Sequence, residues 1–374
     1  MTKRKGRLPR RGKSFRGNSQ RARPIRAVDF FCGVGGLTHG LAKGGVKVVA
    51  GVDLDEACRY PYEANNEAKF VLKDITKVSG GEVKRLLGKQ PGLTLLAGCA
   101  PCQPFSTYSQ SARKKKAHPD WELLSAFGRL IRMVKPDLVT MENVPELAGH
   151  PIFGKFLASL RGYHVDFKVV ECDAIGIPQT RSRLVLVASR RGPIELTLPK
   201  KWRPTTVRSA IHGLPTIRAG EADAKDPLHV SSKLSEMNLK RIRHSKPGGT
   251  WRDWPLSLRS PCHQKKSGRT YSSVYGRMSW DQPAPTMTTQ CFGFGNGRFG
   301  HPEQDRAISL REAALLQSFP RNYAFVPKDG PVNMKVLGRL IGNAVPVALG
   351  RLIADTLIAH TRDLKRQRRS VTRT

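Results

Sequence analysis

Short apolar runs recur along the first half of the chain, and each has the length of a buried strand. They occupy residues 27–31, 46–52, 70–72, 93–96, 137–141, 163–171 and 184–188. Such runs, bounded by turn residues, are typical of strands buried on both faces of a sheet. Longer segments with helical spacing lie at 121–134, 310–318 and 340–359. Strands alternating with helical segments predict an α/β fold built on an open sheet.

The amino-acid composition changes between residues 190 and 304. These 115 residues contain 11 Pro and 11 Gly, with 20 Lys or Arg against 8 Asp or Glu. Aromatic residues interleave with the charge, at Trp251, Trp254, Tyr271, Tyr275 and Phe294. The composition predicts a loop-rich basic module suited to DNA contact. The chain then divides into a basic arm (1–26), a main domain (27–189 with 305–360), this module (190–304) and a basic tail (361–374).

The charge balance indicates the partner. Lys and Arg number 65 against 29 Asp and Glu, a net charge of +36 over 374 residues. An excess of this size points to a polyanion, most simply nucleic acid. Residues 1–26 hold 11 Lys or Arg and no acid, which predicts a disordered arm that contacts phosphates without reading bases.

Cysteine usage and hydropathy predict the compartment. The seven cysteines are odd in number and scattered, which favours a reduced, cytoplasmic chain. No apolar run approaches the ~20 residues of a membrane span, and the basic N-terminus lacks the apolar core of a signal peptide. We therefore expect a cytoplasmic protein with no membrane partner, associated with the nucleoid through DNA.

The stretch at 98–106, G-C-A-P-C-Q-P-F-S, follows the fourth apolar run. Pro101 and Pro104 flank Cys102 and restrict the backbone on both sides, so this thiol is held on a stiff loop past a strand end. One alternative is a buried structural cysteine. The other is a redox or zinc C-x-x-C pair formed with Cys99, but the prolines oppose the helix that a redox motif opens, and no second pair exists for zinc.

A second cluster of candidates surrounds the first strand. Residues 29–37 read D-F-F-C-G-V-G-G-L, a glycine-rich turn that opens a helix and lets backbone approach a ligand. Asp53 ends the second strand, where an acid can bond ribose hydroxyls, and Asp74 could accept from an adenine amine. Asp55 is better explained as a helix N-cap. Together they indicate an adenosine-containing cofactor.

Two further candidates lie at later strand ends. Glu142 begins an E-N-V-P segment and is the second acid–base candidate, with an N-cap or surface acid as the alternative. Arg181 and Arg183 alternate in Q-T-R-S-R, so they should face one side of an extended segment and suit a phosphate or a base. A solvated strand face is the alternative for the arginine pair.

In series, these motifs resemble those of the bacterial-type DNA (cytosine-5)-methyltransferases. The resemblance rests on D-F-F-C-G-V-G-G-L, P-C-Q-P-F-S, E-N-V, Q-T-R-S-R, R-E-A-A-L-L-Q-S-F-P and G-N-A-V-P, which stand in the family's order between residues 27 and 358. It implies a doubly wound, Rossmann-like domain that uses S-adenosyl-L-methionine. It also implies that the last helix packs beside the glycine turn and that residues 190–304 form a target-recognition domain.

The resemblance also implies roles for single residues. Cofactor contacts carry over to Phe30, Gly33, Gly35, Asp53, Leu54, Asp74 and Asn343. Family members often have an aromatic residue at the position of Leu54, so adenine stacking should be weaker here. The catalytic set would be Cys102, Glu142, Arg181 and Arg183.

The chemistry of cytosine is consistent with this set. A Cys102 thiolate adds to carbon 6 and activates carbon 5, while Glu142 acts as general acid at N3. Arg181 would hold O2 of the base and support Glu142 and Cys102. None of these atoms is reachable in a stacked duplex, so the base must be flipped out. The loop at 103–120 should close on the phosphates with Gln103, Ser106 and Arg113.

Sequence reading should lie in the module, within residues 257–299. Thr286 belongs to a P-T-M core that resembles the family's and should position the backbone. Arg269, Arg277 and Gln290 are the candidate base readers, since Arg favours guanine and Gln favours adenine.

Two other functions remain as alternatives. An RNA methyltransferase of the same fold is disfavoured by the long basic module and by the absence of a C-F-T tripeptide. A non-catalytic DNA-binding relative is disfavoured by the intact set of Cys102, Glu142 and Arg181. The expected partner is double-stranded DNA, bound by a monomer without a metal ion, with a separately acting restriction endonuclease as a candidate partner.

Overall fold

A computed structural model describes residues 24–101, 120–199, 205–268 and 272–371. Residues 1–23 of the basic arm, Arg269 and the segment with Cys102, Gln103, Ser106 and Arg113 lie outside the described residues. Ile25 and Arg26, assigned to the arm from the sequence, begin the first strand instead. In the main domain, a seven-stranded sheet has the order β3-β2-β1-β4-β5-β8-β6. The strands are β1 Ile25–Phe30, β2 Lys47–Asp53, β3 Lys69–Leu72, β4 Leu93–Gly98, β5 Leu138–Asn143, β6 His164–Glu171 and β8 Ser182–Ser189.

The first five strands are parallel, and β8 runs antiparallel between β5 and β6. All six residues of β5 are buried, as expected for a central strand covered on both faces. One face is covered by α3 Gly80–Leu87, α4 Asp120–Val134 and α5 Pro151–Ala158, and the other by α1 Gly36–Lys43 and the last helix. α2 Arg59–Asn65 lies between β2 and β3. The predicted α/β, doubly wound, Rossmann-like sheet is confirmed.

The apolar segment at 340–359, predicted as one helix, is two. α10 Met334–Asn343 and α11 Val347–Val371 are separated at Ala344, Val345 and Pro346. Proline has no amide to donate and disfavours helix at the residue before it, which explains the break. The basic segment predicted as a tail continues α11 as far as Val371.

The last helix returns to the glycine turn, as the resemblance implied. A Cβ on Gly40 of α1 would lie 2.3 Å from the carbonyl oxygen of Val347 and 2.7 Å from Cα of Gly350, so the two helices cross in backbone contact. The stretch Met334–Gln367 is apolar enough to pass as a membrane span, but 67% of its most apolar window is buried inside the protein. It is a core element.

The module is built from short elements in its described part. These are α6 Val207–Ile211, α7 Glu236–His244, α8 Pro261–Gln264 and β9 Ala284–Pro285. A small core forms around Trp251, Trp254 and Phe294, and the guanidinium of Arg241 lies 5.5 Å from the ring centre of Trp254. A second core is shared with α9 Leu310–Leu316 and α10. β9 pairs in parallel with β7 Gln179–Thr180, which fastens the module to the main domain.

Candidate active site

The predicted site residues gather at one edge of the sheet. The glycine turn follows β1, Asp53 ends β2, the G-C-A-P segment follows β4, and Glu142 lies near the end of β5. Parallel strands point their carboxyl ends to the same edge, which is where open α/β sheets bind ligands. Elements more than a hundred residues apart in sequence are thereby brought to one cleft.

Asp53 organises the glycine turn. Its two carboxylate oxygens accept the backbone amides of Gly33 at 2.8 Å and Asp55 at 3.0 Å. Partial burial raises the pKa of Asp53, although these hydrogen bonds oppose the rise. Gly33 has a φ of 51°, and among the described residues no atom beyond its chain neighbours lies within 4 Å of where a Cβ would stand, so this part of the structure leaves room beside the turn. This surface fits a nucleoside cofactor.

The remaining predicted cofactor residues differ in their exposure and in the groups that they contact. Leu54 is 69% exposed, and Asn343 is exposed at the end of α10. Asp74 accepts the amide of Thr76 at 2.8 Å, which lowers the pKa of Asp74. Phe30 is fully buried, with its ring 5.7 Å from that of Phe127. Asp55 is an N-cap that accepts the amide of Ala57 at 3.1 Å, as predicted.

Asp29 is the first residue of the D-F-F-C-G-V-G-G-L motif. It is completely buried, and Oδ2 accepts the hydroxyl of Thr38 at 2.7 Å. Its Oδ1 has no hydrogen-bond partner within the described parts of the chain. Burial raises the pKa of Asp29 to about 7. The signal in the sequence was an acid inside an apolar run, where a charge is costly.

Glu142 is held from both sides. Nε of Arg183 lies 2.9 Å from Oε1, and the thiol of Cys99 donates to Oε2. Burial raises the pKa of the Cys99 thiol well above its ordinary value, and the charge of Glu142 adds to the rise. Cys99 therefore keeps its proton and acts as a donor. The next residue, Asn143, donates from Nδ2 to the carbonyl oxygen of Ala100 at 3.0 Å, which joins E-N-V to G-C-A-P.

The two arginines of Q-T-R-S-R make different contacts. Arg183 contacts Glu142, whereas the buried Arg181 donates from Nη1 to the carbonyl oxygen of Met287 at 3.1 Å. Arg181 lies between two strand pairings, because β7 ends at Thr180 and pairs with β9 while β8 begins at Ser182 and pairs with β5 and β6. That both arginines face one side stays a prediction. Arg183 supports Glu142 through this contact.

The candidate base readers differ in their exposure to solvent. Gln290 is exposed. The prediction for Arg277 needs correction, because this side chain is buried and bonds to four backbone carbonyls and to Asp305. Its guanidinium holds the module together and has no face turned to solvent. Thr286 donates to the carbonyl oxygen of Thr180 at 2.6 Å, consistent with positioning the backbone.

The strand order, with the candidate residues gathered at the carboxyl edge of the sheet, defines the class as a Rossmann-like α/β protein. The sequence model of the C-5 cytosine-specific DNA methylases matches residues 25–359, and the chain belongs to that family. It is therefore a DNA (cytosine-5)-methyltransferase.

Its relatives and structural neighbours agree. The chain is 52% identical to the Type II methylase M.HgiDII of Herpetosiphon aurantiacus, over 88% of this chain and 94% of that protein. It is 31% identical to the Type II methyltransferase M1.BsuMI of Bacillus subtilis, over 88% and 79%. An E. coli prophage protein assigned as a DNA modification methyltransferase has the same fold, with a TM-score of 0.68 at 22% identity, over 89% of this chain and 98% of that one.

Proposed function

We propose that this enzyme methylates carbon 5 of a cytosine flipped out of double-stranded DNA, within a short sequence that residues 190–304 select. The observation that carries the proposal is the Glu142 carboxylate, fixed by Arg183 and Cys99 beside the G-C-A-P segment that leads to Cys102. The 52% identity to a Type II methylase favours a modification enzyme that protects a restriction site.

The proposed reaction begins at Cys102, whose thiolate bonds to carbon 6 of the cytosine ring. Glu142 stabilises the adduct by a hydrogen bond or proton to ring N3, so the electron pair develops at carbon 5. When bound, S-adenosyl-L-methionine supplies an electrophilic methyl group. A base, for which solvent water suffices, then takes the proton from carbon 5. The electron pair of that C–H bond re-forms the double bond, Cys102 leaves as the thiolate, and any proton given to N3 returns to Glu142.

The cofactor's holders are the turn and the acids beside it. Asp53 offers carboxylate oxygens near the glycine turn, Leu54 an exposed apolar side chain, and Asp74 an acid at the rim. Asn343 adds an exposed amide at the end of α10. We assign to Arg183 the task of keeping the Glu142 carboxyl aimed at the base.

A covalent trap tests the nucleophile. Duplex DNA with 5-fluorocytosine at the target should form a stable adduct, because fluorine cannot leave as a cation and elimination stalls. Digestion and mass spectrometry should place the adduct on Cys102, and Cys102→Ser should form none. An adduct on Cys32, Cys58 or Cys99 would refute the assignment. Burial raises the pKa of each of these three thiols, which opposes thiolate formation.

The target is found by sequencing methylated DNA after expression in a host that lacks cytosine methylation. Exchanging residues 190–304 for those of a relative with a different target should then transfer that relative's site. An active chimera that still methylates the original sequence would show that specificity lies outside the module.

A further inference from the structure

Two completely buried glutamines meet where the module joins the main domain. Nε2 of Gln179 donates to Oε1 of Gln317 at 3.0 Å and to the carbonyl oxygen of Leu316 at 3.2 Å. Neither side chain has any exposed surface. They come from β7 and from the end of α9, 138 positions apart in sequence. A buried amide is retained only where its polar atoms are satisfied.

On one side the pair holds the recognition segment. Oε1 of Gln179 accepts the backbone amide of Met287 at 2.9 Å. Arg181 and Thr180 bond the same segment, through the carbonyl oxygen of Met287 and the hydroxyl of Thr286. The exposed candidate base reader Gln290 follows three positions later.

On the other side the pair holds the proposed cofactor turn. Nε2 of Gln317 donates to the carbonyl oxygens of Ile341 at 2.9 Å and Ala344 at 3.3 Å. These lie at the end of α10, where helix carbonyls lack intrahelical donors. The exposed Asn343 lies between them, and Val345 packs against Gly36 of the glycine turn.

We propose that the Gln179–Gln317 pair couples binding of target DNA by the module to binding of the cofactor at the 341–345 turn. The donors and acceptors of both amides are engaged, so displacement of Met287 must either break a buried hydrogen bond or move Gln317 and the turn with it. The inference rests on the proposed function, which assigns DNA to the module and cofactor to the turn. Gln179 and Gln317 are positioning residues that touch neither ligand.

The test measures a coupling ratio with the full-length enzyme. S-adenosylhomocysteine, the unreactive product, is titrated calorimetrically with and without saturating duplex that carries the identified target. The ratio of the two Kd values is the coupling, and it must also appear when the duplex is titrated with and without the product. We expect the ratio in the wild type to differ from one.

Methionine replaces glutamine with little change of shape while removing its hydrogen bonds. Gln179→Met and Gln317→Met should each move the ratio of Kd values at least about threefold towards one. The double variant should move the ratio no further, because both substitutions interrupt the same hydrogen-bonded pair. Gln304→Met is the matched control. This module glutamine accepts from Arg306 at 2.8 Å and contacts neither the turn nor Met287, so the ratio should stay at its wild-type value.

A purely structural role predicts a different result. The variants would then lose stability, with both Kd values changed but their ratio preserved, and that outcome would overturn the proposal. A wild-type ratio of one would also overturn it. Failure of the wild type to bind the product or the duplex would instead refute the proposed function.

If either variant fails to fold, hydrogen exchange measured on the wild-type enzyme tests the coupling instead. Duplex binding without product should slow exchange of amides in 342–348, and unchanged exchange there would refute the coupling.

Discussion

Replacing Arg277 with methionine separates a base reader from a scaffold residue. The structure places its guanidinium inside the module, where it donates to the carbonyl oxygens of Ile242 at 3.1 Å, Ser245 at 3.0 Å, His301 at 2.8 Å and Gln304 at 2.7 Å. Methionine can fill much of the space but offers no donor. The variant should therefore lose stability, and its choice of site should not change.

The size of the loss follows from which carbonyls depend on Arg277. The carbonyl oxygen of Ile242 also accepts the backbone amide of Ser245, and that of Gln304 accepts the backbone amide of Arg306. These two carbonyls therefore keep a donor when Arg277 is replaced. The carbonyls of Ser245 and His301, in residues only 5% and 2% exposed, bear most of the loss. Two buried acceptors at about 1–3 kcal/mol each give roughly 2–6 kcal/mol. We expect the unfolding midpoint to fall by several degrees.

The assay pairs thermal unfolding with sequencing of methylated DNA. Arg298→Met serves as the control, because this arginine of the same module is exposed. It should unfold at the wild-type temperature. An Arg277→Met enzyme of wild-type stability that accepts other bases at one target position would refute the scaffold role. A base reader would produce that pattern, with a relaxation of roughly 1–3 kcal/mol.

Three further predictions concern the main domain. Asp29→Asn should flatten the pH dependence of stability. The pKa of Asp29 is raised to about 7 in the folded state, whereas in the unfolded state the carboxyl loses its proton near pH 4. As the pH rises from about 4 to about 7, the wild-type free energy of unfolding should therefore fall. Identical unfolding profiles would contradict the burial argument. Leu54→Trp should tighten S-adenosylhomocysteine binding, by about two- to tenfold, through stacking on the adenine; calorimetry showing equal or weaker binding would place the adenine elsewhere. Cys99→Ala should lower kcat two- to fivefold with little change in KM for DNA, from loss of about 0.5–1 kcal/mol of hydrogen bonding to Glu142, and Cys99→Ser should restore it. Equal kcat in wild type and Cys99→Ala would show that the thiol does not position Glu142.

Much of the fold was predictable because its signals are local. The apolar runs gave every strand of the main sheet within a few residues, since burial on both faces leaves continuous apolar stretches. Asp53 at the end of β2 and Glu142 near the end of β5 followed from the rule that parallel strands end at one edge. The break at Pro346 was missed, because the apolar spacing continues through 340–359 although proline removes an amide donor from the helix.

What the sequence could not decide is which side chains meet across the fold. Cys99 and Glu142 are 43 positions apart, and only the pairing of β4 with β5 brings the thiol to the carboxylate. The contacts of Arg183 with Glu142 and of Arg181 with Met287 depend on where one strand pairing ends and the next begins.

Burial of polar side chains was equally hidden. In sequence Arg277 is one basic residue among many in a module whose charge suggests solvent and DNA, yet packing encloses it among backbone carbonyls. Gln179 and Gln317 are linked only after the chain has closed around them. Sequence alone determined the sheet, the family motifs and the strand ends that carry chemistry, because these arise from local preference and periodicity. Tertiary structure decided the partners of each polar group, because a buried donor takes whichever acceptor packing places within reach.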